Sequence, residues 1–155
     1  MLAFLAKIFG KAQHQSKFVA SASAVEPLYL APGRGFTQEV VGESYRQEAL
    51  EASVGGKTLD GFNQKLTAQL VFDEGNRHDP NAVGVLIDRR HVGYIPKQQA
   101  ADFRRQILAI NPGQIPVVCK AKITGGWDRG DGDTGHFGVR LSLASPLRAT
   151  AKFES

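Results

Sequence analysis

At 155 residues, with 42% hydrophobic and 22% charged side chains, the chain has the composition of one folded domain with some tail, which excludes disorder along its whole length. Its single cysteine, Cys119, excludes an internal disulfide framework and a multi-cysteine zinc site, and reads as a buried structural thiol in a reducing compartment. The net charge of +4 gathers in residues 1–35, where Lys7, Lys11, Lys17 and Arg34 face Glu26; the rest holds 15 basic and 14 acidic residues, which excludes a broad phosphate-tracking surface and leaves room for a small local site.

The opening "MLAFLAKIFGKAQ" places Leu2, Leu5, Ile8 and Phe9 at helical spacing with Lys7 and Lys11 on another face. Residues 1–13 therefore read as a short amphipathic segment that touches a membrane surface or a protein partner. Lys7 interrupts the apolar run that a secretory signal needs, and the run falls well short of the about 20 residues of a transmembrane span, so a cytoplasmic protein is expected. Residues 14–35, rich in Ser, Ala, Pro and Gly, read as a linker.

From residue 36 to 144 the pattern is that of a domain, with 145–155 as a C-terminal tail. "FTQEVVGES" reads as a first strand and "YRQEALEAS" as a short helix closed by Gly55-Gly56. "NQKLTAQLVF" alternates, with Leu66, Ala68, Leu70 and Phe72 on one side. "AVGVLI" and "HVGYI" are two further strands joined by the charged turn "DRR". "KQQAADFRRQILAI" sets Ala100, Phe103, Ile107 and Ile110 on one helical stripe and ends before Pro112-Gly113. "IPVVCKAKI" and "HFGVRLSL" alternate cleanly and are joined by the long loop "GGWDRGDGDTG". About six short strands and one main covering helix predict a mainly β (α+β) fold, a small barrel or strongly bent sheet.

Three fragments invite an enzymatic reading and fail it. "GGKT" at 55–58 lacks the earlier glycine of a phosphate-binding loop, since position 51 is Glu51, and it follows a helix where that motif follows a strand. "GESYR" has Arg46 where a nucleophile elbow around Ser44 needs glycine. Asp128, Asp131 and Asp133 miss the calcium-loop spacing and suit a hairpin loop. No catalytic residue, metal ligand or cofactor is expected.

The stretch "RHDPNA" is a turn between apolar strands: Asp79 before Pro80 favours it, and the Asn81 amide is expected to cap it. Gly93 in "HVGY" allows a bend or the close approach of another chain. Neither accounts for Tyr45, His78 and Tyr94 lying just outside apolar runs, with Arg46 and Lys97 adjacent in sequence. Three π-faces near strand ends beside two cations are what base stacking with phosphate contact requires.

"VVGESY", followed by "HDPNAVGVLIDRRHVGYIP" and a helix, resembles the HIRAN domain over about residues 38–143, in the manner of the short stand-alone members found in bacteria and phages. The resemblance implies an OB-like, modified β-barrel and a non-catalytic module that binds single-stranded DNA at a free 3′ end in a repair or replication-fork setting. Any hydrolase activity tied to the family would belong to a fused ATPase motor. Carried over by position, Tyr45 would stack on the terminal base, His78 would close its other side, and Asp79 would accept a hydrogen bond from the 3′-hydroxyl. Tyr94 and Lys97 would contact the last phosphates. Ser44 stands where the eukaryotic pattern has arginine and Arg46 where it has a second tyrosine, so Arg46 would supply the displaced positive charge. Glu39 and Glu43 would oppose a polyanion if they face the site. The competing expectation is a protein-interaction module that docks through residues 1–13 without binding DNA.

Overall fold

The computed structural model describes residues 25–153. The amphipathic segment 1–13 and the first part of the linker lie outside the described residues. In chain order the elements are β1 (Leu28–Leu30), β2 (Gln38–Glu39), a 3-10 turn (Glu43–Tyr45), α1 (Gln47–Val54), β3 (Phe62–Phe72), β4 (Val83–Ile87), β5 (Arg90–Tyr94), α2 (Lys97–Ile110), β6 (Val117–Gly125), β7 (Phe137–Ser142) and β8 (Ala149–Thr150). Six strands form one antiparallel path, β2-β7-β6-β3-β4-β5, curled into a half-barrel with the two helices against it.

Alternation decides the faces. Val117, Cys119, Ala121 and Ile123 on β6 and Phe137, Val139 and Leu141 on β7 are buried, while Lys120, Lys122 and Arg140 point outward. Burial raises the Cys119 thiol to about 12, as expected of an inert core cysteine. Strand β4 is buried along its whole length, which fits its unbroken apolar sequence. On α2 the predicted stripe is the packed one, with Ala100, Phe103 and Ile107 buried. Gly55 and Gly56 close α1, both N–H groups returning to the Glu51 carbonyl at 2.9 and 3.0 Å.

The predicted first strand is shorter than its sequence pattern. Pairing with β7 covers Gln38 and Glu39, and Gly42, at φ 80, then turns the chain into the 3-10 turn. Before that turn Val41 exchanges two 2.8 Å backbone hydrogen bonds with Tyr94 of β5, so the two ends of the six-strand path meet. Gly93 is required there: a Cβ would stand 2.5 Å from Val40 Cγ1 and 2.7 Å from the Val41 carbonyl oxygen.

Two strands had no sequence signal. Strand β1 pairs in parallel with the start of β6, Leu28 opposite Val117, and β8 pairs with β1, Tyr29 opposite Thr150. Strand β7 covers β6 only from Lys120 onward, which leaves the edge at Val117 and Val118 open for β1. Both strands are too short for periodicity to register, and pairing alone defines them.

Candidate nucleic-acid interface

The turn carrying Tyr45 is anchored on both sides. The Glu43 carboxylate accepts a 2.8 Å bond from the Val139 N–H. The Gln47 amide accepts from the Phe137 N–H at 2.7 Å and donates to the Phe137 carbonyl at 3.0 Å and the Glu43 carbonyl at 2.8 Å. Strand β2 reaches only Arg140 and Leu141, so these two side chains stand in for a strand along the rest of the β7 edge. Burial, opposed by the Val139 N–H and Arg140, raises the Glu43 pKa. Between the anchors Tyr45 is 88% exposed, a large ring presented to solvent. Glu43 is thus turned to the β7 backbone, and Glu39 lies 4.0 Å from Arg140.

The stretch between β3 and β4 is a hydrogen-bonded turn in which Asn76 and Asp79 do the capping. The Asn76 side-chain oxygen accepts from the N–H groups of His78 and Asp79 at 2.9 and 3.0 Å, and Asp79 Oδ1 accepts from the Asn81 N–H at 2.9 Å. The expected Asn81 side-chain cap is therefore replaced: Asn81 contributes its backbone N–H, and the Asp79 side chain two residues before it accepts. Among the described residues Asp79 Oδ2 has no hydrogen-bond partner. The His78 ring is exposed, and Lys97 Nζ, from the first turn of α2, donates to the His78 carbonyl at 3.2 Å.

Tyr94 links the two turns. Its hydroxyl donates to Asp73 Oδ2 at 2.9 Å, an oxygen that also accepts from the Asn76 amide at 3.3 Å. Its ring meets that of His91 edge-on at 4.5 Å and 85°. Burial and then the Asp73 carboxylate raise the Tyr94 pKa, while Arg46 lowers it. Burial and then Arg46 depress His91, against the Gly93 carbonyl and Asp73. Arg46 is thus felt electrostatically by both rings.

Tyr94 and Arg46 are brought together, as are His78, Asp79 and Lys97, and Tyr94 joins the groups through Asp73. No hydrogen bond or ring contact joins Tyr45 to His78 or Asp79 among the described residues. Sequence reasoning missed Asp73, Asn76 and His91. The spacing of Asp73 and Asn76 just after an apolar strand was a readable signal for a side-chain-stitched turn; His91, inside a strand, offered none.

Tyr45 and His78 present exposed rings on two separate turns, and half-buried Tyr94 sits where the sheet's ends meet. The HIRAN domain model matches residues 36–115, half of the chain, and includes Tyr45, Arg46, His78, Asp79, Tyr94 and Lys97. The protein belongs to the HIRAN domain family. HIRAN domains are binding modules generally associated with DNA, and the match ends before β6, so β6, β7 and β8 lie outside it. No curated protein matches the chain. Among solved structures it is similar to a crystal structure of a protein from Lactobacillus plantarum, at 20% identity and a TM-score of 0.36, over 73% of this chain and 98% of that one. Among the described residues no helix is long and apolar enough to cross a membrane.

Proposed function

We propose that this HIRAN protein binds single-stranded DNA at a free 3′ end, in a repair or replication-fork setting, through Tyr45, Arg46, His78, Asp79, Tyr94 and Lys97. The observation that carries the reading is the state of Asp79. One carboxylate oxygen is fixed by the Asn81 N–H and the other has no partner among the described residues, in a turn whose flanking His78 ring is exposed. A fixed carboxylate accepts from a terminal hydroxyl and repels a continuing phosphate, which is the discrimination an end-reader needs. The exposed Tyr45 ring supplies a stacking surface for a base. Arg46, whose charge acts on Tyr94, and Lys97, bonded to the His78 carbonyl, supply positive charge, and Arg46 stands where a departure from the eukaryotic pattern moved the cation.

The test is binding of a short single strand to the parent, Tyr45→Ala and Asp79→Ala, each checked for folding by circular dichroism. Loss of stacking on Tyr45 is expected to weaken binding about 5- to 150-fold, from about 1–3 kcal/mol per stacked base. Asp79→Ala is expected to remove the preference for a hydroxyl end. Folded variants that bind as the parent does would sink the assignment.

A further inference from the structure

The outward face of the sheet carries charge that the end-reading site leaves unused. Lys65 on β3 is the register partner of Lys122 on β6, which is in turn the register partner of Arg140 on β7. Like charges directly opposite one another destabilise a sheet, so this row carries a repulsion of its own. Among the described residues its cations make a single ion pair, Arg140 with Glu39 at 4.0 Å. Rings take the place of carboxylates. Phe36 lies 5.8 Å from Lys65 Nζ and 5.4 Å from Lys122 Nζ, and Phe153 lies 5.4 Å from Lys120 Nζ, one position along β6 in the outward row. The near-neutral sum of the domain thus conceals a local segregation of charge.

The row also has a place relative to the end site. Arg140 lines a depression of about 320 Å³ beside the Tyr45 turn together with Glu39, Gly42, Glu43 and Ser44, where Glu39 pairs with Arg140 and Glu43 accepts from the Val139 N–H, and from there the cations lead away across β7, β6 and β3. Strands about 4.8 Å apart spread Arg140, Lys122 and Lys65 over about 10 Å.

We propose that this face is a second nucleic-acid contact surface, which holds the phosphate backbone leading away from the bound terminus. It extends the end-reading proposal, and its test separates the two. The probe is a short single strand blocked by a 3′-phosphate, beside the same strand with a free hydroxyl, titrated by fluorescence anisotropy from about 50 to 200 mM salt. Replacing two phosphate-contacting lysines in Lys65→Gln/Lys122→Gln is expected to flatten the slope of log K against log salt by about 1.4 for both strands. Lys65→Arg/Lys122→Arg is expected to keep the parent slope, which separates charge from packing. A Gln double variant with the parent Tm and the parent slope overturns the second surface, even if the hydroxyl preference stands. A flattened slope without hydroxyl preference supports the surface and removes the end-reader. A parent that binds neither strand removes both.

Discussion

The Tyr94 hydroxyl donates a 2.9 Å hydrogen bond to the Asp73 carboxylate, and that bond ties the Tyr45 turn to the Asp79 turn. Tyr94 is fixed to the first through the backbone pair with Val41, and Asp73 opens the second. Tyr94→Phe keeps the ring against His91 and removes the hydroxyl that makes this link. It is expected to cost about 0.5–1.5 kcal/mol in a denaturant titration, the range of a partly exposed hydrogen bond, and to weaken DNA binding without unfolding the protein. Parent stability and parent affinity together would show that the link does not organise the site.

Gln47 replaces a strand partner for Phe137. Gln47→Ala leaves the Phe137 N–H and carbonyl without their side-chain partner and is expected to lose about 1–3 kcal/mol. Tyr45→Ala, at a side chain that is 88% exposed, is expected to change stability by less than about 0.5 kcal/mol. Equal losses for the two variants in chemical denaturation would contradict this division between holding the turn and presenting the ring.

Gly93 allows the sheet's ends to meet. Gly93→Ala drives a methyl group into Val40 and the Val41 carbonyl and is expected to destabilise by about 1–3 kcal/mol, with faster hydrogen exchange at the Val41 and Tyr94 amides. Unchanged protection of those two amides would mean that the closure does not depend on this contact.

His91 gives the fold a pH dependence of fixed sign. Burial and Arg46 hold its folded pKa below the usual 6.5, so in acid the unfolded chain binds a proton that the folded protein does not. Its contribution is complete above about pH 6.5 and is lost as pH falls below that value toward the folded pKa. Thermal unfolding between about pH 7.5 and 5.5 is expected to show a steeper fall for the parent than for His91→Phe. Parallel curves would remove His91 as the source.

Much of the architecture was legible because burial imposes a period. Strands β3, β6 and β7 and helix α2 follow the alternation and the stripe in the sequence, and α2 begins at Lys97 and ends at Ile110, as the pattern predicts. Strands β1 and β8 were not legible, because an open edge of β6 decides them and their own residues do not. The strand pattern runs on through Glu43 and Ser44 into the 3-10 turn because the apolar Val40-Val41 pair continues past what β7 can cover. At the site, the aromatic and charged residues stood out by type, whereas Asp73, Asn76 and His91 act through partners remote in sequence or in the turn. The Gln47–Phe137 pair spans 90 positions, beyond any local pattern.

The turn around Asp79 is proposed to read a free 3′ end. Fluorescence anisotropy of the parent protein with one short single strand, ending in either a 3′-hydroxyl or a 3′-phosphate, tests it most directly. Tighter binding of the hydroxyl end is expected, by about 10-fold for one charge-assisted hydrogen bond gained and one repulsion avoided, with loss of the difference in Asp79→Ala. Equal affinity for the two ends at every salt concentration would contradict it.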